Sequence, residues 1–462
     1  MKKFQNLVDK LYKYLVAAII VIIPLYPKFP FIRIPGTYVS IRFEDFLLAT
    51  TALFVFVKLI PNIKKLFINK ISRSMLLFLL IGFVSLVSGI LITKTVVPSI
   101  GVLHLLRRLE YFVPFFAVLA FYPAERSKNL EFYIKTLMIV VFLAFFYGLG
   151  QKYFDFPVII TQDSESAKGI ALKWIPGSQI TSTFAGHYDL ASFMVLVLPI
   201  FIGLFFAVKD KASKIFLALV SFSGFWLLIL TGSRISFFSY LLAICVSLFL
   251  MKKTKAVILV VVISLVMSGF SASLSARYKN LINVLIERIK NVKIVEAKPL
   301  TLEVYAESVK TETTRPVVEP TPTPVPILED RSTSIRLNIE WPRAVRSFLK
   351  NPFLGTGYSS IGLATDNDYL RLLAEVGGLG FFCFSLIIVR ILIVFASALP
   401  LPAKLSSVNL GFVAGTIGGL FGTLFNAVFI DVFEASKFAI TFWLIIGLAV
   451  FLVKDTINEY TA

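Results

Sequence analysis

The chain has 462 residues, 57% of them hydrophobic and 16% charged, against roughly 45–50% apolar residues in a soluble domain. With a mean hydropathy of +0.84 and the apolar residues gathered in long runs, this composition excludes an ordinary globular enzyme and predicts a chain that lies mostly in lipid. The net charge of +19 comes with no visible module for nucleic acid, so the excess of Lys and Arg reads as the bias of cytoplasmic loops in a membrane protein.

In chain order the apolar runs cover 12–26, 44–60, 74–93, 108–122, 132–150, 190–208, 215–231, 235–251, 256–270, 379–399, 408–430 and 438–453. Since a span needs roughly 17–25 residues, these runs predict an all-α polytopic membrane protein with about twelve transmembrane helices. Residues 1–270 would hold helices one to nine. Residues 271–376 would form one large loop, and 377–462 helices ten to twelve with a short tail. The first run is preceded by lysines, but Ile22-Ile23-Pro24-Leu25-Tyr26-Pro27 offers no small-residue cleavage site, so it reads as a retained span. Cys245 and Cys383 sit inside apolar runs and read as packing residues.

The loops set the orientation. Lys2, Lys3, Lys10 and Lys13 precede the first run, Lys58, Lys64, Lys65, Lys70 and Arg73 follow the second, and Lys252, Lys253 and Lys255 follow the eighth. These loops are expected in the cytoplasm, with both termini inside and 271–376 on the outer face. A cysteine placed at Thr313 should then react with an impermeant maleimide in intact cells. Reaction only after permeabilisation would reverse the topology.

The outer loop changes character along its length. Over 274–293, Leu274, Tyr278, Leu281, Leu285, Ile289 and Val292 recur at helical spacing among Arg277, Lys279, Arg288, Lys290 and Lys293. This is an amphipathic basic helix, suited either to an anionic membrane surface or to packing on the bundle. Over 297–330 the closely spaced Pro316, Pro320, Pro322, Pro324 and Pro326 predict an extended or disordered insert that buries nothing. From Arg331 to the end of the loop, 331–376, the sequence predicts order again. There a helix would place Arg336, Glu340 and Arg343 on one side at i, i+4 and i+7. A turn-rich loop with Gly355, Gly357 and Tyr358 follows, where glycines let backbone N–H groups approach a ligand. Asp366-Asn367-Asp368-Tyr369 then starts a capped helix that runs into the tenth span.

Four segments in order carry a resemblance. They are Ile180-Thr-Ser-Thr-Phe184-Ala-Gly186-His187-Tyr-Asp189-Leu-Ala191; Leu230-Thr-Gly-Ser233-Arg234; Arg336 with Trp341, Phe348, Asn351-Pro352, Gly355 and Gly357; and Asn367 with Tyr369-Leu370, Leu373, Glu375, Gly377 and Gly380 entering a membrane helix. Together they resemble the O-antigen ligase and polysaccharide polymerase family, over roughly 181–380 by motif.

The resemblance implies a GT-C-like, metal-independent inverting glycosyltransferase of the cytoplasmic membrane that needs no cofactor. Its donor would be a glycan on undecaprenyl diphosphate at the outer leaflet of the lipid bilayer. Its acceptor would be a lipid, a polysaccharide or a protein, so that ligase, polymerase and protein O-oligosaccharyltransferase remain alternatives, with the ligase preferred. Expelling a lipid diphosphate calls for fixed cations in a water-poor cleft, and the arginine fork matches phosphate oxygens.

Arg234 and Arg336 are the expected catalytic cations. Asp366 stands where the family carries histidine and would be the general base. Arg343, Gly355, Gly357, Tyr358, Asn367, Tyr369, His187 and Asp189 are the expected substrate-binding residues.

Plainer readings stand beside these. Arg234 could snorkel, Arg336 could pair with Glu340 within its helix, and Asp366 could be a simple N-cap. His187 could be structural, and Arg343 and Arg346 could be surface charges. Asp366-Asn-Asp368 also reads as the metal-binding triplet of nucleotide-sugar transferases, but nucleotide sugars are cytoplasmic and the surroundings do not match that fold. A transporter is the competing class. No internal repeat is visible, however, and a large one-sided loop rich in arginine favours an enzyme.

Overall fold

The computed structural model describes residues 2–33, 40–125, 129–159, 171–269, 331–362 and 364–461. The amphipathic helix expected over 274–293 and the proline-rich insert over 297–330 lie outside the described residues. The predicted apolar runs fall on α1 (Lys2–Leu25), α2 (Phe43–Leu59), α3 (Lys70–Leu91), α4 (Pro98–Glu125), α5 (Leu130–Tyr153), α6 (His187–Ala207), α7 (Lys211–Leu230), α8 (Arg234–Leu250) and α9 (Thr254–Gly269). A short helix, α10 (Trp341–Lys350), precedes the last three, α11 (Asp368–Ser397), α12 (Ser407–Asn426) and α13 (Ser436–Thr461).

Among the described residues, seven helices are long and apolar enough to cross a membrane: α3, α5, α6, α7, α11, α12 and most of α13. By length and composition, then, seven of the expected dozen runs are full-length spans. Helices α2 and α8 have 17 residues and α9 has 16, while α4 carries Arg107, Arg108 and Glu110 in mid-helix. The all-α expectation also needs two short antiparallel hairpins added, Pro30–Arg33 with Ser40–Arg42 and Val158–Ile159 with Ala171–Leu172.

Burial separates central helices from peripheral ones. The apolar stretches of α6 and α13 are 83% and 94% buried, whereas those of α5 and α11 are 39% buried and face outward for much of their surface. The reason α12 can lie against α6 and α8 is its row of small residues. A Cβ added at Gly411, Gly415 or Gly419 would strike the backbone of α6, and one at Gly418 or Gly422 the backbone of α8. Close backbone approach is the packing that lipid-embedded helices favour, because no hydrophobic drive separates helix from acyl chain. At the end of α12 the buried Asn426 fastens all three helices. Its Nδ2 donates to Ser192 Oγ at 2.9 Å, and its Oδ1 accepts from Ser236 and Ser239 Oγ at 3.2 and 3.3 Å.

Helix α11 is broken at Gly377, whose φ of +68° and ψ of −173° lie outside the helical region. A break inside a membrane helix leaves carbonyls and N–H groups that must find partners in the protein. The loop after α10 provides them. Thr356 N and Gly357 N donate to the carbonyls of Ala374 and Glu375, both at 2.8 Å. Gly378 N and Leu379 N donate back to Pro352 and Phe353 at 2.8 and 3.2 Å. Ser85 on α3 adds a bond to the Glu375 carbonyl at 2.7 Å, so the break is tied to the bundle. This junction holds the first turns of α11 in place beside the end of α12, where Asp368 N donates to the Ala427 carbonyl at 2.9 Å.

Candidate functional site

The chain enters the site through Arg331–Ile335, one α-helical turn, followed by a π turn over Arg336–Glu340 in which Trp341 N reaches back to the Arg336 carbonyl. Pro342 explains the wide turn. It has no N–H to give to a carbonyl of the preceding turn, and it suits the first turn of the new helix α10. The result places Arg336 inside the protein, buried, with its guanidinium 6.0 Å from the ring centre of Tyr188 at the start of α6. The segments around residues 187 and 336, separate in sequence, thus meet.

Arg336 Nε and Nη2 both donate to Asp366 Oδ2, at 3.0 and 2.8 Å. Arg336 therefore does not form the expected intrahelical pair with Glu340 as its main contact. Nor is Asp366 the N-cap of the helix it precedes. Asn367 caps α11, its Oδ1 accepting from Leu370 N at 3.0 Å, and Asp366 sits one residue earlier with φ +49°. That left-handed conformation is unfavourable for a residue with a Cβ and persists only where neighbours hold it.

The holder is Asp431. Its Oδ2 accepts from Thr365 N at 2.8 Å and its Oδ1 from Asn367 N at 3.0 Å, so one carboxylate clamps the backbone on both sides of Asp366. Arg371 Nη1 binds the same Oδ2 at 3.0 Å. Burial raises the Asp366 carboxyl above the usual range; Arg336 opposes this and the Asp431 charge adds to it.

Unpartnered polar atoms gather around this pair. Glu340 Oε2, Trp341 Nε1, Arg343 Nε and Thr365 Oγ1 are all buried without a hydrogen-bond partner. Buried polar atoms are normally satisfied, so a cluster of orphans on two adjoining segments marks a place where water or a ligand belongs. Burial, then repulsion from Asp366 and Asp431, pushes the Glu340 carboxyl up to about 7. Arg343 is partly committed, since its Nη2 donates to the Ala364 carbonyl at 2.5 Å.

The remaining predicted residues divide into two sets. Arg234 begins α8 behind the Ser233 cap, and Ser236 on its first turn is bonded to Asn426; Asp368 N in turn donates to the Ala427 carbonyl at 2.9 Å. These links bring Arg234 to the same end of the bundle as Arg336 and Asp366. His187 begins α6 with its ring 4.1 Å from that of Tyr188, which places it there too.

The others are employed elsewhere. Gly355 and Gly357 do not offer their N–H groups to a ligand. Gly355 N donates to Asn351 O at 2.7 Å, Gly357 N closes the α11 break, and a Cβ on Gly355 would meet the backbone of Glu375 and Gly377. Tyr358 is buried between Gly82 of α3 and Arg108 of α4, whose guanidinium lies 5.6 Å from its ring, and burial raises its phenol. Tyr369 donates to the Leu424 carbonyl at 2.7 Å, so neither tyrosine is turned toward Asp366 as the substrate-binding expectation had it. Asp189 turns to Lys28, 3.8 Å away. Asp366 and Asp368 do not act together as a triplet, because Asp368 Oδ2 accepts from Phe433 N at 3.1 Å while Asp366 faces Arg336.

Asp431 and the network behind it were missed by sequence reasoning. Arg371 lies 3.6 Å from Glu375 and 3.4 Å from Glu434; Arg108 binds Glu434 and lies 4.0 Å from Glu375. A cavity of about 40 Å³ between Arg108, Asp368, Glu375 and Glu434 has room for water. The available signal was Asp431 and Glu434 themselves, two acids in the short gap between apolar runs, where an ionisable group implies a partner.

The O-antigen ligase family model matches residues 216–385. The matched stretch takes in Arg234, Arg336, Glu340 and Asp366, and it ends before Asp431 and begins after His187 and Asp189. Curated proteins give no match to the chain. Over residues 216–385 the chain is thus similar to the O-antigen ligase family.

Proposed function

We propose that the protein transfers a glycan from undecaprenyl diphosphate to an acceptor hydroxyl at the outer face of the cytoplasmic membrane. The observation that carries this reading is the buried Arg336–Asp366 pair, set among orphaned polar atoms inside the matched family segment. In the reaction the acceptor oxygen attacks the anomeric carbon from the side opposite the diphosphate. The carbon–oxygen bond to the diphosphate breaks with its electron pair, and the sugar inverts.

Arg336 would neutralise the growing charge, aimed by the Asp366 carboxylate that holds two of its N–H groups. Arg234, at the same end of the bundle, is the second cation. Asn367 and His187 border the acceptor side, and Arg343 holds the 364 backbone at the rim. Gly355, Gly357, Tyr358, Tyr369 and Asp189 build the site without touching substrate. A carboxylate takes the acceptor's proton, and Asp366 is the one that the resemblance implies. The arginines supply the charge that a metal supplies elsewhere. The lysine distribution of the loops supports termini in the cytoplasm and a site on the outer face.

Purified protein in liposomes, given polyprenyl diphosphate glycan and candidate acceptors, tests the reading. The expected result is a new glycosidic product without ATP or an ion gradient. A single addition identifies a ligase and a ladder of lengths a polymerase. Movement of the lipid across the bilayer with no bond formed would make the protein a transporter.

A further inference from the structure

The π turn brings two charged residues to one short stretch, Arg336 at its start and Glu340 at its end. In a regular helix these two would pair at i and i+4. Here Arg336 directs two of its N–H groups to a single oxygen of Asp366, and Glu340 Oε2 is left buried with no partner, although the residue is only partly covered. The charged groups that face Glu340 are Asp366 and Asp431 from the two adjoining loops, Arg336 from its own turn and Arg343 from α10. A general base needs an oxygen that is free to receive a proton, a position at the reacting group, and a basicity near the working pH. Asp366 meets the first condition less well, because the Arg336 fork holds its Oδ2 by two charge-assisted bonds and favours the ionised carboxylate. Glu340 meets it, and burial with two acidic neighbours pushes its carboxyl up to about 7.

We propose that Glu340 is the general base that takes the acceptor's proton, and that Asp366 is a positioning residue that aims Arg336 at the diphosphate. The inference rests on the glycosyl-transfer reading above. As the acceptor oxygen bonds to the anomeric carbon, its O–H bond breaks and the proton passes to Glu340. The electron pair of the broken glycosyl–oxygen bond leaves with the diphosphate beside Arg336.

The test is the pH profile of initial transfer rates for the full-length protein and two near-isosteric variants, with melting profiles as a folding control. The wild type should lose activity as pH falls through about 7. Glu340→Gln should lower kcat about 100-fold or more and abolish that acidic limb, with the donor KM unchanged. Glu340→Asp should recover part of the rate and restore a limb. Asp366→Asn should keep the limb, moved to lower pH because one acidic neighbour of Glu340 is gone, and raise the donor KM. A Glu340→Gln variant with wild-type rate and limb, or an Asp366→Asn variant that loses the limb, would overturn the assignment and return the role of base to Asp366. A wild type that forms no glycosidic product with any acceptor would overturn the transfer reading itself, and this inference with it.

Discussion

Arg336→Ala is expected to lower glycosyl transfer by about 100- to 1,000-fold, the loss typical of removing one preorganised charge-stabilising group from a transition state. The guanidinium is buried, held by Asp366 at 2.8 and 3.0 Å and set over the Tyr188 ring. It therefore needs no reorganisation when the diphosphate departs. The substitution also leaves the Asp366 carboxylate without its cation, and loss of the fold must be separated from loss of charge. The double variant Arg336→Ala with Asp366→Asn does this, since it removes the stranded charge as well. Recovery of thermal stability without recovery of transfer is the expected pattern. Recovery of both would mean that Arg336 acts only as a structural partner of Asp366. Arg346→Ala is the mild comparison, as this residue is exposed on α10.

Asp431→Ala should have the largest effect on stability. It removes the acceptor for Thr365 N and Asn367 N and the anionic partner of Arg371 at one stroke. Breaking a buried ion pair by deleting one member typically costs about 3–5 kcal/mol, because the surviving charge stays desolvated. Arg371 keeps Glu375 and Glu434 at 3.6 and 3.4 Å, which places the expected loss at the lower end of that range. The effect on activity should exceed the effect on folding, since the clamp around the left-handed Asp366 is lost. Thermal inactivation of the detergent-solubilised protein measures the first and transfer at low temperature the second. An unchanged inactivation rate would remove Asp431 from the scaffold. Asp431→Asn keeps one acceptor oxygen and should fall between the two.

The parts of the fold that lipid dictates were legible in the sequence. An apolar run long enough to satisfy its own backbone has one structure open to it in a bilayer, and each of the twelve runs falls on a helix. Which of them cross in full was less legible, because α2, α8 and α9 are short and α4 carries Arg107 and Arg108, which pair with Asp45 and Glu434 of other segments as well as with Glu110.

In the site, Arg336 could be picked out because an arginine preceding Trp341 and the glycine-rich loop sits where the resemblance puts a cation. Its partner could not. The sequence places Asp366, Asn367 and Asp368 side by side as equivalent caps, and the choice of Asn367 is made by Asp431, more than sixty residues on. The glycines were read as a ligand loop for a similar reason. Their turn conformation is visible locally, but the carbonyls that use their N–H groups appear only when α11 breaks at Gly377. Glu340 was seen only as a possible partner for Arg336. Its unpaired oxygen follows from the π turn, which regular helical spacing does not anticipate.

On the proposed reading, this end of the bundle breaks a glycosyl–diphosphate bond by means of Arg336. The direct measurement is the mass spectrum of lipid released when the purified protein meets polyprenyl diphosphate glycan and an acceptor. The wild type should release free polyprenyl diphosphate in step with glycosylated acceptor, and folded Arg336→Ala should form both at about a hundredth of that rate or less. Glycosylated acceptor formed at the wild-type rate by that variant, or wild-type protein that leaves the donor intact with every acceptor, would contradict that reading.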